Sequence, residues 1–193
     1  MEGSSGVKRN CYVNSAVEFE NHKTLLKSVP CPQCRAVSNL ICHGYLRGYG
    51  ECGFKKVVRG WRVFCSNRYL RQGCGRTYSI LLAHFLHRRS VTSAQAWDFF
   101  KGLLSGMNFK TAWEKVVSSF SLECGYRLWK AFKRGQFIVR SNLCRMSSPQ
   151  ESHCIGANPL LQPIEQLRRV FESSCCPVSA YQIRFQAALL QWK

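Results

Sequence analysis

Acid is what this chain has least of. Asp and Glu together number 10 against 28 Lys and Arg, a formal charge of +18 over 193 residues, and Asp98 is the only aspartate. A chain this short of carboxylates offers no acidic cluster for holding two catalytic metal ions, and no nucleophile-plus-base motif replaces one. No apolar run approaches the ~20 residues of a membrane span. The first residues, Met1-Glu2-Gly3-Ser4-Ser5-Gly6, lack the hydrophobic segment of a secretory signal, so a reducing cytosolic setting and no membrane partner are expected. Hydrophobic residues nonetheless make up 46%, enough for one or two packed domains rather than wholesale disorder.

The basic residues are grouped. Residues 55–89 hold nine of them and no acid; residues 127–145 hold six, again with no acid. One-signed runs of this kind repel themselves unless a polyanion neutralises them, and nucleic acid is the usual one. The alternatives are simple solubility or attraction to an anionic lipid surface. Aromatics interleaved with the charges (Phe54, Trp61, Phe64, Tyr69, Tyr78) favour nucleic acid, since bases stack on rings while phosphates meet cations. The expected contacts in the first run are Arg59, Arg62, Arg68, Arg71, Arg76, Arg88 and Arg89.

Twelve cysteines supply the second theme. Cys31-Pro32-Gln33-Cys34 is a compact thiol pair on a turn, and Cys65 and Cys74 form a second pair with eight residues between them. Four thiolates in two pairs suit a tetrahedral Zn2+ ion, and Cys31, Cys34, Cys65 and Cys74 are the expected ligands. A Cys-x-x-Cys redox dithiol is the first alternative, though no apolar strand precedes Cys31 as such sites require; disulfides are the second. Cys42, His43 and Cys52, or His84 and His87, are candidates for a second metal, with packing or phosphate contact the simpler role. Gly48 to Gly53 matches a dinucleotide-binding glycine pattern, but a basic β-rich segment follows where a helix is needed, so a hairpin tip is expected.

The pattern predicts an α+β chain. Residues 1–29 read as a flexible leader with a short helix; 30–82 as a small antiparallel zinc ribbon, with strands at 39–46 and 55–65, the latter broken near Gly60; 83–146 as an all-α, helix-turn-helix-like domain; and 147–193 as a linker with C-terminal helices. Helices are expected at 91–104, 108–118 and 121–134. In the last, Leu128, Trp129 and Phe132 share one side, while Arg127, Lys130 and Arg134 share the other. Two helices joined by a short turn, the second apolar inside and basic outside, describe a helix-turn-helix with Arg127 and Lys130 facing the groove. Lys133, Arg134 and Arg140 are the expected phosphate contacts. Two further helices are expected at 164–171 and 180–192, the tail offering a dock or a homodimer contact.

The Cys31-Pro32-Gln33-Cys34 knuckle, the strand ending in His43-Gly44-Tyr45, the Trp61-Arg62-Val63-Phe64-Cys65 lead-in and the Cys74-Gly75-Arg76-Thr77-Tyr78-Ser79 knuckle resemble the zinc ribbons at the amino termini of bacterial insertion-element transposases. The resemblance covers about residues 30–80, and the long gap between Cys65 and Cys74 departs from it. It implies a cytoplasmic, nucleoid-associated protein of a mobile element that binds duplex DNA, with RNA or ribosome binding as the alternative. It carries no catalysis: with a single aspartate the chain is expected not to be an enzyme, and any cleavage would fall to a separate transposase or recombinase subunit.

Overall fold

The computed structural model describes residues 10–50, 56–87, 89–116, 120–146 and 159–190. The chain is mixed α+β and divides into two compact units, one ending at Ala83 and one beginning at His84.

The first unit is a four-stranded sheet in the order β1-β4-β3-β2, with β1 at Asn10–Val13, β2 at Leu40–Tyr49, β3 at Lys56–Cys65 and β4 at Thr77–Leu82. β2, β3 and β4 run antiparallel, as expected over 30–82, but β1, in the stretch expected as a leader, joins them by pairing parallel with β4, Cys11 opposite Ile80. Neither β1 nor β4 is legible as a strand in the sequence. The four residues of β1 carry no measurable alternation, and its pairing closes over a long stretch of chain; β4 has six residues, with Tyr78, Ile80 and Leu82 alternating, but reads in the sequence only as the way out of the ribbon. α1, Ala16–Leu25, follows β1; Ser15 caps it by accepting the Glu18 amide at 3.1 Å. Its one buried residue, Phe19, lies on the ring of Trp61 in β3. The buried face of β3 is therefore Trp61, Val63 and Cys65, with Tyr78, Ile80 and Leu82 opposite or beside them on β4.

β3 passes through Gly60 without the expected break. A β-carbon there would stand 2.3 Å from the Ile80 carbonyl oxygen, so glycine at this place permits the close strand approach. The register of β2 against β3 slips between Cys42 and Gly44, a bulge that leaves Cys42 and His43 exposed on the edge strand. Part of the expected hairpin tip, with Cys52, lies outside the described residues.

The second unit is helical: α2 Ser93–Leu104, α3 Phe109–Val116, α4 Leu122–Cys144, α5 Gln162–Val170 and α6 Pro177–Phe185. Thr92 and Gln95 form a reciprocal capping box that starts α2. α4 runs ten residues beyond the expected end at 134, straight through a buried Gly135. Gly125, Leu128, Phe132, Gly135, Val139 and Leu143 keep a three-four spacing, and that stripe continues the helix where local propensity would stop it. Gly125 lets α4 approach α3: an added β-carbon would meet the Trp113 ring at 2.7 Å. The Trp113 Nε1–H donates to the carbonyls of Phe120 and Ser121 at 3.2 and 3.1 Å, fastening α3 to the start of α4. α6 is shorter than expected: Gln186 takes a left-handed conformation at φ 48° and ends it. Tyr181 accepts from Asn142 of α4 at 2.8 Å, and Ile164, Leu167, Val178 and Leu189 join the same core as Phe99, Trp113 and Phe132.

Candidate metal centre

Cys31 and Cys34 stand on the turn after α1, Cys65 is the last residue of β3, and Cys74 precedes β4. Their four Sγ atoms all lie within 4.8 Å of one another. Cys31 and Cys74 are 3.8 Å apart and Cys34 and Cys65 are 3.7 Å apart. Sulfurs at the corners of a tetrahedron around a metal at ~2.3 Å would be separated by about 3.8 Å. A disulfide would need ~2.05 Å. The spacing and the all-sulfur donor set therefore fit one tetrahedral, thiophilic metal ion, and all four expected ligands are brought together.

The long gap between Cys65 and Cys74 leaves the geometry of the second pair intact, because the two halves of the centre share one backbone pattern. In the first, the Cys31 amide donates to the Ala36 carbonyl and the Arg35 amide to the Cys31 carbonyl, both at 2.9 Å. In the second, the Cys65 amide donates to the Arg76 carbonyl at 2.9 Å and the Gly75 amide to the Cys65 carbonyl at 3.0 Å. Each half also sends an amide to a ligand sulfur: Gln33 to Cys31 Sγ and Cys74 to Cys65 Sγ, both at 3.4 Å. The second half is the first with loop 66–73 inserted, closed at its base by the Gly73 amide donating to the Ser66 carbonyl at 3.0 Å. A β-carbon on Gly73 would stand 2.1 Å from that carbonyl oxygen, so glycine is required there.

Electrostatically Cys34, Cys65 and Cys74 are unequal. A backbone hydrogen bond from Ala36 brings the Cys34 thiol down to about 7, while burial pushes Cys65 up to about 12 and raises Cys74. Cys34, the exposed one, thus ionises more readily than Cys65 or Cys74, and a bound cation would favour the thiolate form of both.

The expected basic contacts distribute over both units. Arg62 lies exposed on β3; Arg68 and Arg71 lie exposed on loop 66–73; Arg76 is exposed and donates to Gln33 at 3.1 Å. Arg59 and Arg89 are half-buried, so less of each side chain is open to a phosphate than in their exposed neighbours; burial lowers both guanidinium values, and both groups remain charged near neutral pH. Arg88 lies outside the described residues. Arg127, Lys130, Lys133 and Arg134 are all exposed on α4, with Arg127 ion-paired to Glu123. Arg140 is turned inward onto the molecule: it donates to the Pro159 carbonyl at 2.7 Å and to Gln162 at 3.1 Å.

Sequence reasoning missed Phe137. It is 83% exposed on α4, within two turns of Lys130, Lys133 and Arg134 on the same side. Its signal was hidden because the helix was expected to end at 134. Among the described residues, the cysteine quartet is the one group of three or more potential ligands that converge, so Cys42, His43, His84 and His87 form no such cluster there. No helix among those residues is long and apolar enough to cross a membrane. No family model, curated protein or solved structure matches the chain, so the functional reading rests on the geometry of these sites.

Proposed function

We propose that the chain is a zinc-dependent DNA-binding protein of a mobile genetic element, transposase-like and without chemistry of its own. The observation that carries this reading is the meeting of four sulfurs, all within 4.8 Å of one another, on two matching turns. Zinc suits an all-thiolate site with a structural role, and iron is the competitor for the same donor set. A unit of this size has little apolar core, so bound zinc supplies much of its folding free energy and holds the arginines around it in place.

In this reading the first unit is a zinc ribbon, and α3 with α4 is the helix-turn-helix. α4 presents Lys130, Lys133 and Arg134 outward while Leu128, Ala131 and Phe132 pack inward, the two-sided character a groove-binding helix needs. Asp98, the single aspartate, stands on α2 in an exposed pair with Lys101 at 2.6 Å, and in this reading strand cleavage falls to another subunit. Exposed Tyr45 and Tyr49 on β2 favour a second reading, binding of RNA or single strands by stacking.

The test is a salt titration of the zinc-loaded chain against duplex DNA, single strands and structured RNA. The proposal expects tightest binding to duplex DNA, weakening steeply as salt rises. Preference for RNA would install the second reading, and binding to none of them would remove both. Metal content should be about one zinc per chain with a colourless visible spectrum; a folded preparation without metal would overturn the zinc centre.

A further inference from the structure

Loop 66–73 is anchored at its base and unusually exposed at its tip. Ser66 is buried, its amide donates to the Asn39 carbonyl at 2.7 Å, and its hydroxyl accepts the Arg68 amide at 3.3 Å. At the tip, Tyr69 is 94% and Leu70 103% exposed. Both take left-handed backbone conformations, φ 53° and 64°, which L-residues adopt only at a cost. That conformation turns two adjacent apolar side chains into solvent, and burial against the rest of the first unit offsets none of it. Arg68 and Arg71 flank them; the Arg68 guanidinium rests 5.8 Å from the centre of the Phe64 ring. A stem closed by hydrogen bonds beside the cysteine quartet thus presents the sequence cation, ring, apolar wedge, cation.

We infer that Tyr69 and Leu70 form a stacking probe for an unpaired or distorted base in nucleic acid: Tyr69 lies against the base, Leu70 fills the step beside it, and Arg68 and Arg71 hold the flanking phosphates. This rests on the nucleic-acid reading above and adds to it a preference for irregular sites. Charge complementarity selects the occupant. The tip sits within a run of 35 residues, 55–89, that contains no acid. An anionic lipid surface would meet the same arginines, but two side chains offer too little apolar area to anchor in one. Apolar wedges between base steps and aromatic platforms under single bases are established modes of engagement.

The experiment uses the zinc-loaded full chain and two duplexes of one sequence, one fully paired and one with 2-aminopurine as a single-nucleotide bulge. The wild type should bind the bulged duplex about tenfold more tightly, with the probe's emission quenched as Tyr69 stacks on it. The double variant Tyr69→Ala, Leu70→Ala should lose both the preference and the quenching while keeping its zinc and its affinity for the paired duplex. Tyr69→Phe should restore both. Equal affinity of the wild type for the two duplexes, or a preference that survives the double substitution, would overturn the stacking probe and leave the proposed function standing. Failure of the wild type to bind either duplex would overturn both. Sedimentation with phosphatidylserine vesicles that is lost in the double variant, with nucleic-acid binding unchanged, would overturn the probe in favour of a lipid contact.

Discussion

Arg35 and Gly75 occupy the same place in the two halves of the metal centre: each follows a ligand cysteine, each is left-handed, at φ 64° and 68°, and each donates its amide to the carbonyl of the first cysteine of its half. Glycine reaches that conformation freely and arginine does not. Arg35→Gly should therefore stabilise the first unit by about 0.5–1 kcal/mol, and Gly75→Arg should destabilise it by at least as much, since a β-carbon there also meets the Asn67 amide at 2.9 Å. Denaturant unfolding of zinc-loaded protein measures both; a loss of stability in Arg35→Gly would mean that its side chain, not its backbone, matters.

The stack of Phe19 on Trp61, ring centroids 3.6 Å apart and planes within 4°, is the main apolar attachment of α1 to the sheet. Phe19→Ala should cost about 3–5 kcal/mol. Thermal unfolding with zinc held in excess should show the first unit melting early while the helical unit keeps its own transition.

On α4 the four expected contacts are not equivalent. Arg127 is partly neutralised by Glu123, whereas the described structure gives Lys130 and Arg134 no carboxylate partner. Lys130→Ala with Arg134→Ala should flatten the slope of log affinity against log salt by about 2, and Arg127→Ala by less than 1. Circular dichroism should show helix content unchanged, because the exposed face carries no core residue.

Glu165 of α5 is buried yet ionised. Burial raises its pKa, but hydrogen bonds from Arg168 at 2.6 Å and Arg169 at 3.1 Å outweigh that and leave it below the ordinary carboxylate value. Its contribution to stability is thus present above the unfolded-state pKa and lost as pH falls through the lower folded value. Glu165→Gln should destabilise the helical unit at neutral pH by about 1–2 kcal/mol, with the difference from wild type shrinking in acid. Paired melts at pH 7 and pH 3 check the sign.

Which four cysteines converge was legible in the sequence because thiol pairing on turns is local: only a few residue types suit such a site, and their pairing survives an insertion as long as the turn closes. The second pair looked irregular only because spacing was counted along the chain; the bond between Gly73 and Ser66 removes the insert from the geometry. The start of α2 was legible to within two residues, and Thr92 caps it by accepting the Gln95 amide; the start of α1 at Ser15 was not picked out.

Contacts between distant segments decided the rest. β1 is a strand because β4 stands beside it: Tyr12 and Val13 suit extension, but a segment of four residues holds it only with a partner. β3 runs on through Gly60, and α4 through Gly135, because each glycine is buried where a packed element continues past it. Composition fixed the charge of this protein and its supply of thiols, since both are properties of side chains taken singly. Which arginines face solvent, where Tyr69 points and which helix carries Phe137 depend on burial, and burial is a property of the folded chain as a whole.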